Sequence, residues 1–260
     1  MNRTEPDHGP IASTVVTAAR ILEEIGERGR VVPQDLARAL DLNRATVHRM
    51  LHTLQQLNYI GKQPDGSYGL TFHLFEIGNT VPESRHLIDA ARRELLELSH
   101  DTGYTVNHGV LYEDHVLYVD KVTPQSYLQL ELEVGESDPL HCTSLGKVLL
   151  AYLPEPERRA TLERIVLERH TERTITNRRD LGVEIERVHA DGWAIDDQEL
   201  AMELRCVAAP VLAPDDTALS AVSISGPSDR FLPADIQKLL PLLRKTTERI
   251  AANLASHERY

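Results

Sequence analysis

Long apolar runs are missing from this 260-residue sequence. None approaches the roughly 18 residues that a helix needs to cross a bilayer. The first ten residues are polar and contain no apolar signal core, so a cytoplasmic location is expected. Cysteine is scarce: Cys142 and Cys206 form neither a disulfide framework nor a CxxC metal motif. Basic residues are the minority, 28 against 40 acidic ones, for a net charge of -12. That balance argues against a surface uniformly adapted to nucleic acid. The charge is uneven, however. From Gln34 to Lys62 the basic residues Arg38, Arg44, Arg49 and Lys62 face only Asp35 and Asp41, a local net of +2, with His48 and His52 in the same stretch. Screening at physiological salt acts over about 8 Å, so the local surplus permits DNA contact.

Enzyme signatures are missing too. The run Ser144-Leu145-Gly146-Lys147-Val148 has Gly-Lys but no following Ser or Thr and no upstream glycine, so it is not a phosphate loop. Ser223-Ile224-Ser225-Gly226-Pro227 is not GxSxG. His141 and Cys142 are adjacent, and neighbours on one strand or turn are expected to point apart, which argues against thiol catalysis. His100, His108, His115 and His141 lack compact ligand spacing, and only a metal site assembled from distant residues stays open. No catalytic residue, metal ligand or cofactor is assigned, and the chain is expected not to be an enzyme.

What is present is a periodicity that changes along the chain. Val15, Ala19, Leu22 and Ile25 recur at helical spacing after a polar arm of about 12 residues. Pro33 suits the first turn of a short second helix through Leu40. Asp41-Leu42-Asn43 is a tight connection, and Asn43 is a good N-cap for a third helix to about Leu57, buried along Val47, Met50, Leu51 and Leu54. Tyr59–Gln63 and Tyr68–Leu70 read as two short strands around Pro64-Asp65-Gly66-Ser67. A helical connector, roughly Thr71 to Val81, is interrupted by Pro82, and a further helix carries Ile88, Ala91, Leu95 and Leu98. From Tyr104 the period becomes two: a hairpin around Glu113-Asp114, then a half-exposed strand through Leu128, Leu130, Leu132 and Val134. Helices at Ser144–Leu153, 156–168 and 179–191, strands at Trp193–Asp197, Cys206–Leu212 and Ala218–Ser225, and a final helix from Pro233 complete the pattern. The fold class is α+β: an N-terminal winged helix-turn-helix over residues 1–80, and a larger mixed domain with a largely antiparallel sheet over residues 81–260.

Helix, tight turn, helix and β-hairpin together define a winged DNA-binding head. Opposite its buried stripe the third helix carries Arg49, His52 and Gln56, with Arg44, Ala45, Thr46 and His48 near its start. Side chains there meet base edges in the major groove, where Arg pairs bidentately with guanine. Gln63, Ser67 and Tyr68 are candidates for wing contacts, Thr14 for a phosphate hydrogen bond, and Asn43 completes the set. The expected partner is a pseudo-palindromic duplex bound by a homo-oligomer, at least a dimer through the heads and as a larger form a dimer of dimers, with Val16, Leu74 and Ile77 as interface positions.

The segment VVPQDLARALDLNRATVHRMLHTLQQLNYI resembles the DNA-binding head of the isocitrate-lyase-regulator (IclR) family. LHCTSLGKVLLAYLP, GWAIDDQELAMELRCVAAPV and ALSAVSISGPSDRF resemble that family's effector domain, and TERTITN with RFLPADIQKLLPLL is most like its KdgR-like sugar-acid branch. The resemblance runs from Thr14 onward. It implies a GAF-like effector domain, a transcriptional repressor of a catabolic operon, and a pocket at Ser144, Leu145, Gly146, Asp196, Cys206, Ser223 and Ser225. The physical reading of those residues agrees. A helix starting at Ser144 offers free N–H groups to an anion, Gly146 would let a ligand come close, and Ser223 and Ser225 present both hydroxyls on one side of a strand. Lys147 is expected to be solvated or ion-paired. The effector expected is a small carboxylate such as a keto-deoxy sugar acid; an aromatic acid or a short keto acid is the alternative, and a small-molecule enzyme with a degenerate head lies further off. One departure stands out: Met202 and Glu203 occupy positions where the family usually has Pro and Gly, so the backbone there is expected to differ.

Overall fold

The computed structural model describes residues 11–124 and 134–257. The strand expected through Leu128, Leu130 and Leu132 lies outside the described residues, and Val134 sits in a turn. The chain divides into two compact units between Pro82 and Glu83.

The first unit is built from α1 (Ser13–Arg28), α2 (Pro33–Ala39), α3 (Arg44–Gln56), the hairpin β1 (Ile60–Lys62) and β2 (Tyr68–Leu70), and α4 (Phe72–Gly78). Its core gathers Ile21, Ile25, Leu36, Val47, Met50, Leu51, Leu54 and Ile60. Val15 does not join it. The helix read from Val15, Ala19, Leu22 and Ile25 is present, but its buried positions are Ile21 and Ile25, with Leu22 half-buried and Val15 and Ala19 exposed. Pro33 heads α2, where its missing N–H breaks no bond. Asp41 turns the chain between α2 and α3 in the left-handed region, a conformation that Asp tolerates better than most residues. Asn43 then caps α3, its Oδ1 accepting from Thr46 N at 2.8 Å. β1 and β2 pair antiparallel with Ile60 opposite Leu70.

The second unit opens with α5 (Pro82–Thr102). Pro82 is its first residue and a helix start, where the sequence suggested only an interruption. Then come β3 (Thr105–Tyr112), β4 (His115–Val122), β5 (Ser137–Pro139), α6 (Ser144–Ala151), α7 (Glu155–Arg164), α8 (Arg178–Asp191), β6 (Ala194–Asp197), β7 (Leu204–Leu212), β8 (Ala218–Pro227) and α9 (Pro233–His257). Among the described residues the sheet runs β5-β4-β3-β8-β7-β6, every neighbouring pair antiparallel.

Strand alternation assigns each face. Val207, Ala209, Val211, Val222 and Ile224 meet Leu95, Leu98, Leu240 and Leu243 of α5 and α9. Ala208 and Ala221 point the other way, to Leu145, Val148, Leu149 and the Leu181, Ile185 and Val188 stripe of α8. Cys206, Ser223 and Ser225 share parity with Ala208 and Ala221, so they belong to the α6 face. Met202 and Glu203 lie in a turn closed by Leu204 N to Ala201 O at 3.0 Å, and neither has positive φ; no glycine is required there. The left-handed residue of that connection is Gln198, φ 66°.

Candidate DNA-reading face and effector pocket

On α3 the apolar stripe faces the core, which turns Arg44, Ala45, His48, Arg49 and His52 to solvent, with Thr46 half-buried. None of these four cationic or titratable side chains holds an ion pair among the described residues. A helix face carrying two arginines, two histidines and no acid is suited to phosphate and base edges. Asn43 is exposed too, but its side-chain oxygen is committed to the cap. Thr14 is exposed on the first turn of α1.

The wing needs correction. Ser67 is buried, and both its N–H (2.9 Å) and its hydroxyl (2.6 Å) donate to Asp65 Oδ1. The Tyr68 ring is part of the head's core. These two side chains are buried within the hairpin and the head's core and offer little surface to a partner. Gln63 is half-buried, and the neighbouring Lys62 is the wing's exposed cation.

In the second unit, Ser144, Leu145, Asp196, Cys206, Ser223 and Ser225 line one cavity together with Thr143. The register explains the meeting: Asp196 pairs with Cys206, Cys206 with Ser225, and Ser223 with Asn107. Thr143 caps α6, its hydroxyl donating to Pro139 O (2.8 Å) and accepting from Gly146 N (3.0 Å). The N–H groups of Ser144 and Leu145 remain without an acceptor among the described residues, and the helix dipole favours an anion there.

Gly146 is a second correction. Its N–H is taken by the cap, and a Cβ at this position would collide with the Leu140 backbone. The glycine makes room for the protein's own chain, not for a ligand.

Sequence reasoning missed Asn107. This buried side chain donates to Ser225 Oγ (2.9 Å) and Ser223 Oγ (3.3 Å), while its Oδ1 is buried without a partner among the described residues. An orphan acceptor in a cavity wall suits a ligand hydroxyl. A polar residue sharing parity with Thr105 on a strand that is buried over Thr105–Gly109 was the available signal. Tyr118, also in the wall, donates to Asp138 Oδ2 at 2.8 Å.

Asp196 is 1% exposed, and its Oδ1 accepts from Glu199 N (2.7 Å) and Leu200 N (3.4 Å). Burial pushes its carboxyl up to about 7, with the Glu199 charge adding to the effect. Burial likewise holds the Cys206 thiol neutral by pushing it upward. Lys147, 1% exposed, is ion-paired and not solvated: its Nζ reaches Glu199 at 2.5 Å and Glu184 at 3.5 Å. That pair fastens α6 to the connection following Asp196. The space enclosed by these walls is about 20 Å³, room for roughly one water.

Comparison with known proteins bears on both regions. Residues 14–64 match the model of the IclR helix-turn-helix domain, and residues 79–252 that of the bacterial transcriptional regulator IclR C-terminal domain. The chain is 32% identical to the HTH-type transcriptional regulator KdgR of Escherichia coli over 247 residues, 95% of this chain and 94% of that one. A solved structure of a transcriptional regulator from Rhodococcus sp. RHA1 superposes with a TM-score of 0.82 at 34% identity, covering 95% of this chain and 99% of that one. An IclR homologue from Microbacterium hydrocarbonoxydans, solved with 4-hydroxybenzoate, shares the fold with a TM-score of 0.84 at 18% identity, covering 94% and 99% of the two chains.

Proposed function

This chain belongs to the IclR family of bacterial transcriptional regulators, and from that premise we propose that a small hydroxylated carboxylate sets its affinity for DNA. The class proposed is the keto-deoxy sugar acids, acting on a repressor of a catabolic operon in the cytoplasm. The carrying observation is the wall chemistry: Thr105, Asn107, Thr143, Ser144, Ser223 and Ser225 surround the open N–H groups of α6. A carboxylate sits on Ser144 and Leu145, where the donors and the dipole both favour negative charge. Ligand hydroxyls donate to Asn107 Oδ1 and exchange hydrogen bonds with the two serines. Asp196, whose carboxyl burial pushes up to about 7, can donate to the acid in its protonated form instead of repelling it. An aromatic acid would leave most of these polar groups unpaired, at about 1–3 kcal/mol each.

The DNA side of the proposal rests on α3. Arg49, flanked by Arg44, His48 and His52, reads base edges, and Thr14 and Gln63 contact phosphates. Two heads acting on a two-fold site require a dimer. Phe72 is 86% and Phe75 67% exposed on α4, and Val15, Val16 and Ile77 are exposed as well, so the apolar surface for head pairing is larger than Val16, Leu74 and Ile77 alone. Sedimentation of the free chain at micromolar concentration is expected to give a dimer or a dimer of dimers; a monomer with and without DNA overturns that part.

The effector proposal is tested by calorimetry of the full chain with 2-keto-3-deoxygluconate, 4-hydroxybenzoate and pyruvate, paired with operator titrations. The sugar acid is expected to bind and to change operator affinity, and Ser223→Ala to weaken its binding while leaving ligand-free DNA binding intact. Binding of 4-hydroxybenzoate alone overturns the sugar-acid class but keeps the sensor. Affinity unchanged by Ser223→Ala places the ligand elsewhere.

A further inference from the structure

His141 and Cys142 were expected to diverge. Instead they converge with His170: one ligand atom from each lies within 4.8 Å of the other two. The bend that precedes α6 turns both side chains to the same side, so alternation along a strand does not apply. None of the cluster's three residues lines the cavity described above.

Each member is prepared in a different way. The His141 ring donates its Nε2 proton to Glu168 O at 2.9 Å, which fixes the tautomer and leaves Nδ1 with a free lone pair. A carbonyl behind a histidine is the usual support of a metal-bound imidazole. His170 is exposed, but its loop is ordered by its own hydrogen bonds, with His170 N on Thr174 Oγ1 at 3.1 Å and Thr171 N on the same oxygen at 2.8 Å. The two imidazole rings lie 6.0 Å apart, centre to centre. The His170 ring and the Cys142 sulfur hold no hydrogen bond among the described residues. The charge of Asp138 is felt at both His170 and Cys142, which favours a cation beside them.

We propose that His141, Cys142 and His170 form a three-ligand site for a borderline-soft divalent cation of the zinc class. Two imidazoles and a thiolate are the donor set such ions select, and hard cations such as Mg²⁺ and Ca²⁺ prefer oxygen. Bond lengths of about 2.0–2.3 Å put tetrahedral ligand atoms roughly 3.3–3.8 Å apart, so the three atoms must close in by on the order of 1 Å or less, and the exposed His170 is the member most able to move. On loading, Cys142 Sγ gives its proton to solvent and bonds the metal, the two imidazoles donate lone pairs, and water takes the fourth position. The net site charge of +1 is offset by Asp138. The site ties together two pocket borders. Cys142 precedes the cap residue Thr143, and the hydroxyls of Thr171 and Thr174 donate to the backbone carbonyls of Gln198 (2.7 Å) and Glu199 (2.7 Å).

Cobalt(II) is the probe, added to the full chain after chelation and under reducing conditions. One equivalent is expected to produce visible d–d bands of a tetrahedral ion and a near-ultraviolet thiolate-to-cobalt band, both abolished by Zn²⁺. His170→Ala alters an exposed residue and keeps the fold; it is expected to lower affinity at least tenfold. Cys142→Ser is expected to remove the thiolate band. No thiolate band in the parent chain, or an unchanged cobalt spectrum and affinity in His170→Ala, overturns the site. If Cys142→Ser does not fold, the His170→Ala comparison decides alone.

Discussion

The candidate contacts of α3, Arg44, His48, Arg49 and His52, are exposed and hold no ion pair among the described residues. Those of the sensor unit, Asp196, Ser223 and Ser225, are almost wholly buried and hydrogen-bonded to their neighbours. The contrast separates two ways of building recognition. On the head, the core stripe of α3 carries stability and the opposite face carries contacts, so each can change alone. In the sensor the same side chains do both, because a buried polar group must be paired whether or not a ligand is present. Mutations at the two places are therefore expected to be read out differently.

The largest effect falls in the sensor. Lys147→Met removes the partner of Glu199, whose Oε2 already lacks a hydrogen bond among the described residues, and leaves that carboxyl buried without compensation. The expected loss is about 3–5 kcal/mol of sensor stability. Urea unfolding followed by Trp193, the chain's one tryptophan, reads this unit. Adding Glu199→Leu is expected to recover much of the loss; no recovery means that the pair is not the cause.

Arg49→Ala is the converse case. It is expected to cost about 1–3 kcal/mol in operator binding and to relax specificity at one position. Stability is expected to stay within about 0.5 kcal/mol. Equal loss on random and operator DNA makes Arg49 a phosphate contact, and a large stability loss breaks the separation between core and contact faces.

The third effect depends on pH. Ligand-free Asp196 titrates near 7 because it is buried, and Glu199, Lys147, Tyr118, Cys142 and Cys206 are the titratable groups around it. An anionic ligand disfavours the ionised carboxyl still further. Binding then takes up a proton above pH 7, and effector affinity falls by up to about tenfold per pH unit there, while below pH 7 it is nearly flat. Asp196→Asn is expected to flatten the profile; a parent profile flat from pH 6 to roughly 9 removes the carboxyl from the ligand's reach.

The smallest effect is Asn43→Ala. Losing the cap of α3 is expected to cost about 1 kcal/mol of head stability by thermal unfolding and to leave effector binding unchanged.

The same contrast governs what the sequence could reveal. The α3 face follows from one local period, so Val47, Met50, Leu51 and Leu54 inside and Arg49 and His52 outside were legible together. Capping and turn chemistry at Asn43 and Pro33 set the element starts almost to the residue. The pocket is different, because Asp196, Cys206, Ser225 and Asn107 meet through strand registers, and no local pattern states which strands pair. Family resemblance supplied most of the lining, but not Asn107. Gly146 was misread since a glycine at a helix start looks the same whether it admits a ligand or the Leu140 backbone. Ser67 and Tyr68 were misread because Ser67 belongs to the turn, where Asp65 holds it inward, and only Tyr68 lies on the strand, with its ring in the core.

A cavity of about 20 Å³ has a consequence in time. If the effector is the sugar acid proposed above, the walls must part before it is fully seated, and that opening precedes binding. The rate of signal uptake is then expected to rise with effector concentration and level off at the opening rate. Apparent affinity is the intrinsic affinity scaled by the fraction of chains standing open. Substitutions that loosen the Lys147–Glu199 clasp would then trade stability for a faster and more sensitive response, which stopped-flow mixing can resolve.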